Sequence, residues 1–340
     1  MRCIFLFVII LFSCSGKRDK SVLVPINLTS ETLPFRVGIG RVEHILYQND
    51  NLIITKGNPD EQIVIFNLSE GSRKIEGVKG SGPGEIMNPW SLQKGKSADD
   101  FWVGSIGQKL LSQFSIQDEN PLAKRQIKLV GDAIGVLEPL FLKEDLYIGT
   151  NLDGKSIFTF FNEKGDVKNR IGDWAEKKDF GEYPNHVISS VYEGRLRTNS
   201  SGTKVSYVCI ALDRFMILDV EREEVREFIG PFDIKPDFKV VPDRGVSVFA
   251  PSPDTKFGFI DSYLSDDKLY LLYSGLSAKE ITQTGKMANQ ILVYSFKGEL
   301  LDYYELDESL KSFTVDEENG VIYGLTSFVN DNVKIVKFHL

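Results

Sequence analysis

The sequence predicts an all-β protein, a six-bladed β-propeller with four-stranded blades in which an N-terminal strand closes the last blade. Three observations predict this fold. A turn followed by an apolar-aromatic strand recurs along the chain, β-hairpin patterns accompany the copies, and no long segment keeps the 3.6-residue period of a helix. The chain of 340 residues exceeds the usual size of one hydrophobic core, and a repeat architecture avoids that limit by adding units.

The recurring strand predicts the number of blades. Six copies begin at equivalent apolar residues, 45 to 64 residues apart: Leu52, Phe101, Leu146, Val205, Leu269 and Val321. Self-similarity near 40–50 residues that consists of strands is typical of propeller blades. Hairpin patterns follow, in which an apolar strand, a polar turn and a more alternating strand succeed one another: 62–78, 110–129 (a looser copy), 156–172, 214–230 and 290–306.

The glycine-rich stretch "KGSGPGEIMNPWSL" (79–92) is predicted to join two blades. It lies between the outer strand of the first blade and the inner strand of the second, where the chain must cross from rim to channel. The glycines permit unusual backbone angles, and Pro83 stiffens the loop. A phosphate-binding loop is disfavoured because Pro83 removes an amide and because a strand, not a helix, follows.

The end of the chain predicts how the ring closes. The sixth blade has no residues left for a fourth strand after Leu340. The unassigned strand-like segment 21–28 is therefore predicted to pair antiparallel with 333–340 as the outer strand of that blade. Such closure removes an open sheet edge.

The first residues predict export. Residues 1–13 combine one arginine with a ten-residue apolar run, which suits a signal peptide and is too short to span a bilayer. Ser13-Cys14 resembles the end of a bacterial lipobox, which implies lipid attachment at Cys14, a tether over 14–20 and a propeller over 21–340. An ordinary secretory signal is the alternative. The expected location is the outer membrane of a bacterial cell envelope, on the periplasmic side.

Charge and cysteine content limit the partners. The formal net charge is −8 and no basic stripe is present, so nucleic acid is not expected as a partner. After cleavage and acylation only Cys209 remains, inside an apolar run, so no internal disulfide is expected. The expected state is a monomer.

At Gly80–Glu85 the G-x-G-P-G-E motif, followed by "NPWSL" and "FWVGS", is similar to an NHL-type propeller repeat. Together with the lipobox it resembles the TolB-like six-bladed propeller lipoproteins, many of which have no assigned function. The repeat pattern covers most of the chain, whereas the motif occurs once. The resemblance implies the fold and an envelope location, and it implies no activity.

One face of the predicted propeller carries the long loops 172–186, 230–256 and 274–290. Long loops in a compact domain are usually functional. We expect this face to bind an unknown protein, peptide or glycan without catalysis and without a cofactor. Four side chains near the loops are the candidate contacts: Trp90, Trp174, Tyr183 and His186.

The alternative function is a metal-dependent hydrolase. Near the starts of four predicted inner strands lie possible oxygen ligands: Asn88, Glu138, Asn185 and Asp261. Some propeller hydrolases of the lactonase type hold a divalent cation with such a set, and hard oxygen ligands suit Ca²⁺. Polar residues at strand starts also simply solvate the channel. No HExxH or GxSxG motif occurs, and the three histidines lie far apart in the sequence.

Overall fold

The computed structural model describes residues 24–38, 40–57, 60–151, 153–174, 177, 179–181, 183–243, 245–327 and 333–340. The predicted signal peptide, Cys14 and the tether lie outside these residues. Within them the chain forms six four-stranded blades around a central channel. In each blade the first strand is the innermost and the fourth lies at the rim.

Two short strands and three blades come first. The strands before the first blade are β1 (Ile26–Leu28) and β2 (Glu31–Thr32). Blade 1 contains β3 (Val42–Gln48), β4 (Asn51–Lys56), β5 (Ile63–Asn67) and β6 (Arg73–Glu76). Blade 2 contains β7 (Ser91–Lys94), β8 (Asp100–Ser105), β9 (Leu110–Ser115) and β10 (Arg125–Lys128). A 3₁₀ turn (Gly131–Gly135) precedes blade 3, which contains β11 (Val136–Lys143), β12 (Leu146–Asn151), β13 (Phe158–Phe161) and β14 (Val167–Ile171).

The second half adds two helices and an extra hairpin. After α1 (Asn185–Val191), blade 4 contains β15 (Gly194–Thr198), β16 (Lys204–Cys209), β17 (Arg214–Asp219) and β18 (Glu224–Ile229). The extra hairpin pairs β19 (Phe238–Asp243) with β20 (Val246–Pro251). Blade 5 contains β21 (Phe259–Leu264), β22 (Lys268–Tyr273), α2 (Ala278–Thr284) as an insertion, β23 (Ala288–Ser295) and the first part of β24 (Leu300–Asp316). Blade 6 contains the second part of β24, then β25 (Val321–Thr326) and β26 (Ile335–His339).

The six recurring residues all begin the second strands of the blades, as predicted. These strands are buried because a blade is covered on both faces by its neighbours. In blade 2, for example, Phe101 pairs with Phe114 across β8 and β9, and their ring centroids lie 5.7 Å apart. Hydrophobic cores form between adjacent blades, where Ile65 of blade 1 and Val103 of blade 2 share one cluster. Each interface stabilises two blades, and Cys209, the cysteine among the described residues, is not in a disulfide.

The glycine-rich stretch joins blade 1 to blade 2, as predicted. A carboxylate oxygen of Glu85 accepts from the backbone N–H of Gly82 at 2.8 Å, which closes a compact turn. A side chain at Gly80 would place its Cβ 1.8 Å from that carboxylate, so only glycine leaves Glu85 in place. Gly84 adopts a φ of +78° in the left-handed region. Ile86 ends the turn and is fully buried.

The N-terminal segment closes the ring, as predicted, but the predicted pairing of 21–28 was wrong. The closing strand is β2, in which Glu31 and Thr32 pair antiparallel with Lys337 and Val336 of β26. Strand β1 instead runs parallel to β24 beside residues 304–306, at the rim of blade 5. The physical reason is a break between the two strands, since the N–H of Ser30 donates to both carboxylate oxygens of Asp307 at 3.0 and 3.1 Å.

The long segments are more ordered than the sequence indicates. The loop predicted over 230–256 contains the β19–β20 hairpin and the loop predicted over 274–290 contains α2, whereas the loop predicted over 172–186 leads into α1, which begins at Asn185. Helix α2 carries a capping box, in which Ser277 and Glu280 satisfy each other's backbone N–H groups. The S-x-x-E spacing in "SAKE" is the signal for this helix, which the strand-centred prediction missed. All three insertions lie on the face where inner strands begin, here called the loop-rich face.

Candidate functional site

The channel mouth is the end of the central channel on the loop-rich face, and a tryptophan lies there among basic residues. Trp90 comes directly before the inner strand β7 and is partly buried. The guanidinium of Arg195 lies 4.7 Å from its ring centroid and that of Arg41 lies 5.7 Å away. Arg41 is the accessible member, because 60% of its side chain is exposed. The geometry is that of a cation–π arrangement in which one cation faces solvent.

Glu138 holds this arrangement in place. One oxygen of its carboxylate accepts from the guanidinium of Arg195 and from the indole N–H of Trp90, the latter at 3.2 Å. The other oxygen accepts from the backbone N–H of Leu196 at 2.8 Å. Glu138 is buried and adopts a φ of +48°, an uncommon conformation that its three partners maintain. A buried carboxylate paired in this way is rigid, so the Trp90 ring is positioned before any ligand arrives.

A second layer lies deeper in the channel. Asp261 pairs with the guanidinium of Arg197 and accepts from the hydroxyl of Ser312 at 2.5 Å. The same guanidinium lies 3.2 Å from Nδ1 of His44. These residues come from four different blades, so this layer ties the inner strands together across the channel.

His44 is buried in positively charged surroundings. Burial lowers the pKa of His44 well below its ordinary value, and the cations of Arg197, Arg195 and Lys311 lower it further. A hydrogen bond with the backbone of Trp90 acts in the opposite direction. The imidazole is therefore neutral at physiological pH, and the potential around it is positive.

A third ion pair completes the mouth. The ammonium of Lys311 lies 3.1 Å from the carboxylate of Glu43 and also donates to the carbonyl of Val42. Arg41 contacts the other oxygen of Glu43. The cations at the mouth are thus supported by buried acids, and of Arg41, Arg195 and Lys311 it is Arg41 that extends into solvent.

The structure separates the four predicted metal ligands into two kinds. Glu138 and Asp261 line the channel, where each is paired with an arginine. Asn88 is exposed in the loop before β7, and Asn185 donates to the carbonyl of Gly154 at 3.1 Å. Among the described residues, no three His, Cys, Asp or Glu side chains are grouped as metal ligands would be. Each of these two carboxylates already accepts from an arginine, so neither presents an unpaired negative charge to a cation, and the calcium site stays a prediction.

The other predicted contact residues lie on or under the loop-rich face. Trp174 is 1% exposed and donates to the carbonyl of Ser156 at 2.9 Å, so its ring belongs to the core. Tyr183 is 40% exposed and its ring packs against Phe238 of the extra hairpin. His186 lies 2.9 Å from the carbonyl of Ser247 through Nε2, which joins α1 to β20.

Contacts between the insertions make the loop-rich face continuous. Helix α1 packs on β20, and the segment after β20 then pairs with the loop that leads into α2. In that pairing Phe257 donates to the carbonyl of Leu276 and accepts from Gly275, each at 2.9 Å. A groove of about 650 Å³ follows between blades 5 and 6, bordered by Lys286, Asn289 and Asp307 among others. The three insertions therefore form one surface around the mouth.

Sequence reasoning did not find the basic residues of the mouth. Arg41, Arg195 and Lys311 are separated by more than a hundred residues and belong to no motif. The signal that could have found them is their position in the repeat. Arg41 and Arg195 lie within one residue of the start of an inner strand, and Lys311 lies near the start of the part of β24 that forms the inner strand of blade 6. Propeller closure brings these starts together around the channel.

Comparison with known proteins gives the family. A family model described as TolB-like 6-blade propeller-like matches residues 35–318. The chain belongs to this TolB-like six-bladed propeller family. The match spans blades 1 to 5 and the inner strand of blade 6, and it confirms the predicted resemblance and the blade number. No match is found among curated proteins.

Two solved structures share the family fold. A member of the DUF4221 family from Bacteroides vulgatus has a TM-score of 0.56 at 12% identity, over 93% of this chain and 97% of its own. A protein from Bacteroides fragilis that is inferred to be exported has a TM-score of 0.54 at 14% identity, over 92% of this chain and 94% of its own. At these identities the likeness concerns the fold alone. No helix within the described residues is long and apolar enough to cross a membrane.

Proposed function

We propose that the protein is an exported, membrane-tethered binding module whose loop-rich face takes an acidic segment of a protein or peptide. One observation carries the proposal. The exposed guanidinium of Arg41 lies over the rigidly held Trp90 at the centre of a continuous face. Arginine and tryptophan are the residues on which binding energy concentrates at protein interfaces, and a solvent-facing guanidinium recognises carboxylates.

Exposed apolar side chains around the mouth support a macromolecular partner. Tyr183, Phe232, Val241 and Val246 are each at least 37% exposed, and all belong to the insertions of the loop-rich face. Phe232 also stacks on Tyr273 at 4.3 Å between centroids, which holds its ring in one orientation. Aromatic and aliphatic contacts around a basic centre are typical of protein interfaces.

Export and tethering rest on the N-terminus. The apolar run and the lipobox-like Ser13-Cys14 support cleavage and acylation in a bacterial envelope. The solved relative from Bacteroides fragilis, inferred to be exported, supports the same location. A lipid on Cys14 would confine the module to the membrane surface and raise its effective concentration for a neighbouring partner.

Site-specific photocrosslinking in cells tests the binding face. A photoreactive residue at Val246 on the extra hairpin is expected to give a discrete adduct, while the same residue at Glu223 on the opposite face gives none. Arg41→Glu is expected to lower the adduct yield at least about tenfold, because it reverses the charge that the partner meets. Arg226→Glu, an exposed arginine on the rim of blade 4, is the matched control and should leave the yield unchanged.

Two results would overturn the proposal: equal adducts at Val246 and Glu223, or an adduct at Val246 that survives Arg41→Glu. Thermal unfolding of Arg41→Glu establishes that the variant is folded. Because Arg41 is mostly exposed, its melting temperature is expected to stay within about 2 °C of the parent.

The lactonase-like hydrolase with calcium at the mouth remains the alternative, and no contact among the described channel residues favours it specifically. Calorimetric titration with Ca²⁺ separates the two functions. We expect no saturable heat, because the oxygens of Glu138 and Asp261 already accept from arginines. Micromolar binding that disappears in both Asn88→Ala and Asp261→Ala would support the hydrolase instead.

A further inference from the structure

The central channel contains a cavity of about 140 Å³ at the end opposite the mouth. Its walls come from the inner strands of all six blades. Four side chains lie near its outer end, at the last residue of an inner strand or just after it: Lys94, Ser265, Asp266 and Glu317. Asp266 and Glu317 are exposed, so this end of the cavity opens on the face with the short turns. The cavity is therefore separate from the face proposed to bind a partner.

Lys94 is a largely buried cation in this cavity without a carboxylate beside it. Its ammonium lies 3.3 Å from the hydroxyl of Tyr263 and 5.5 Å from the centroid of that ring. Among the described residues, no carboxylate oxygen lies within 4.0 Å of it. Two other poorly exposed lysines differ in this respect, since Lys56 pairs with Glu61 and Lys311 with Glu43. A desolvated cation without a counter-ion is costly, and a bound anion removes that cost.

Ser262 supplies an independent observation. It lines the same cavity, is 2% exposed, and its hydroxyl has no hydrogen-bond partner within the described part of the chain. Buried hydroxyls are nearly always paired, so an unpaired one indicates a partner such as a ligand or ordered water. Burial also lowers the pKa of Lys94, while the more distant negative charges of Glu317, Asp316 and Asp266 raise it.

The charges around the cavity favour a ligand with no more than one negative charge. Arg197 lies at the inner end and is already paired with Asp261. Asp266 and Glu317 at the outer end repel any negative charge, and they repel a dianion about twice as strongly as a monoanion, so a ligand with one negative charge is favoured over one with two. Apolar side chains also line the walls, including Leu92, Leu140 and Phe313. A cavity of about 150 Å³ accommodates a benzene molecule, so about six heavy atoms fit here.

We propose that this cavity binds a small organic monocarboxylate, whose carboxylate accepts hydrogen bonds from Lys94 and Ser262 and whose carbon chain contacts the apolar walls. The site is independent of the loop-rich face, so either proposal can fail without the other. The occupant is small, singly charged and partly apolar, in contrast to the acidic segment expected at the mouth.

Calorimetric and thermal-shift titrations of the full chain test the site with defined probes. Sodium butyrate is expected to bind saturably and to raise the melting temperature, whereas 1-butanol, of equal chain length without charge, does not. Lys94→Met is expected to weaken butyrate binding at least about tenfold, and Ser262→Ala about threefold or more, since charge-assisted hydrogen bonds are the stronger ones. Lys96→Met removes the same charge two residues away, at an exposed position, and should change nothing.

Melting temperatures of the same variants without ligand distinguish a loss of the binding site from a loss of folding. Without ligand, Lys94→Met is expected to melt at or above the temperature of the parent, because it removes a cation that has no carboxylate partner. Lys94→Gln serves as the second variant if the methionine disturbs packing. The proposal is overturned by butyrate affinity that is unchanged in both Lys94 variants, by the absence of saturable binding, by equal binding of 1-butanol, or by tighter binding of the dianion succinate.

Discussion

The partner of a charged side chain decides what that side chain can do. Glu138 and Asp261 have the chemistry of metal ligands, yet each is paired with an arginine and holds part of the channel in place. Lys94 is the opposite case, because an ordinary lysine in the sequence becomes a cation facing a phenol inside the channel. Such pairings set the electrostatic character of both ends of the channel.

His44 offers a pH test at the scale of a single residue. Burial and nearby cations lower its pKa in the folded state, so the unfolded chain binds the proton more readily below pH 6.5. The stabilisation from neutral His44 is complete above about pH 6.5 and is lost as pH falls towards the lower folded-state pKa. Its loss costs up to about 1.4 kcal/mol of unfolding free energy per pH unit in that window.

Urea unfolding of the parent and of His44→Gln at pH 7.5 and pH 5.5 measures this effect. The parent is expected to lose more stability than the variant between the two pH values, by about 1 kcal/mol or more. His186→Gln, at a partly exposed histidine of α1, is the control and should behave like the parent. An equal loss in parent and His44→Gln would contradict the predicted titration.

At the scale of elements, a few residues decide how the ring closes. Strand β24 continues from blade 5 into blade 6 over 17 residues, so two different edges need covering by the N-terminal segment. Strand β1 covers the rim of blade 5 and β2 completes blade 6. After β2, Leu33 and Phe35 pack against the core between blades 6 and 1. The segment therefore secures the ring by edge pairing and by apolar burial together.

Removal of residues 24–33 tests this closure. The deletion is expected to lower the melting temperature by roughly 5–10 °C, because several kcal/mol of pairing and burial are lost. Replacing residues 240–248 of the extra hairpin with two glycines is the control, and about 2 °C or less is expected because the hairpin lies outside the blades. Calorimetric scans measure both. A deletion variant as stable as the parent would show that β26 does not need its partner strand.

For the whole molecule, the two faces of the propeller carry different structures. The insertions with α1, the extra hairpin and α2 lie on one face, while short turns cover the other and leave the Lys94 end of the channel open. The chain can thus present a large contact surface and a small cavity at opposite ends of one channel. Both sites would lie beside a membrane if Cys14 carries a lipid.

Cys14→Ser tests the tether. The parent is expected in the membrane fraction and labelled by a radioactive fatty acid, whereas the variant should lose the label and leave the membrane or remain uncleaved. Cys209→Ser is the control, because that cysteine is fully buried and should have no part in acylation. Unchanged fractionation and labelling of Cys14→Ser would contradict the lipobox.

The sequence by itself determined the fold, the blade number and the loop-rich face. Residues such as Leu52 and Phe101 recur because each blade meets the same local demands of strand alternation and burial. Gly80 and Glu85 likewise indicate a turn that is closed by neighbours in the sequence. Only the tertiary structure decided which charges meet: Arg41 with Trp90, Arg195 with Glu138, and Lys94 with Tyr263 instead of an acid. These pairs join different blades, and electrostatic interactions depend on distances that ring closure sets and that no local pattern encodes.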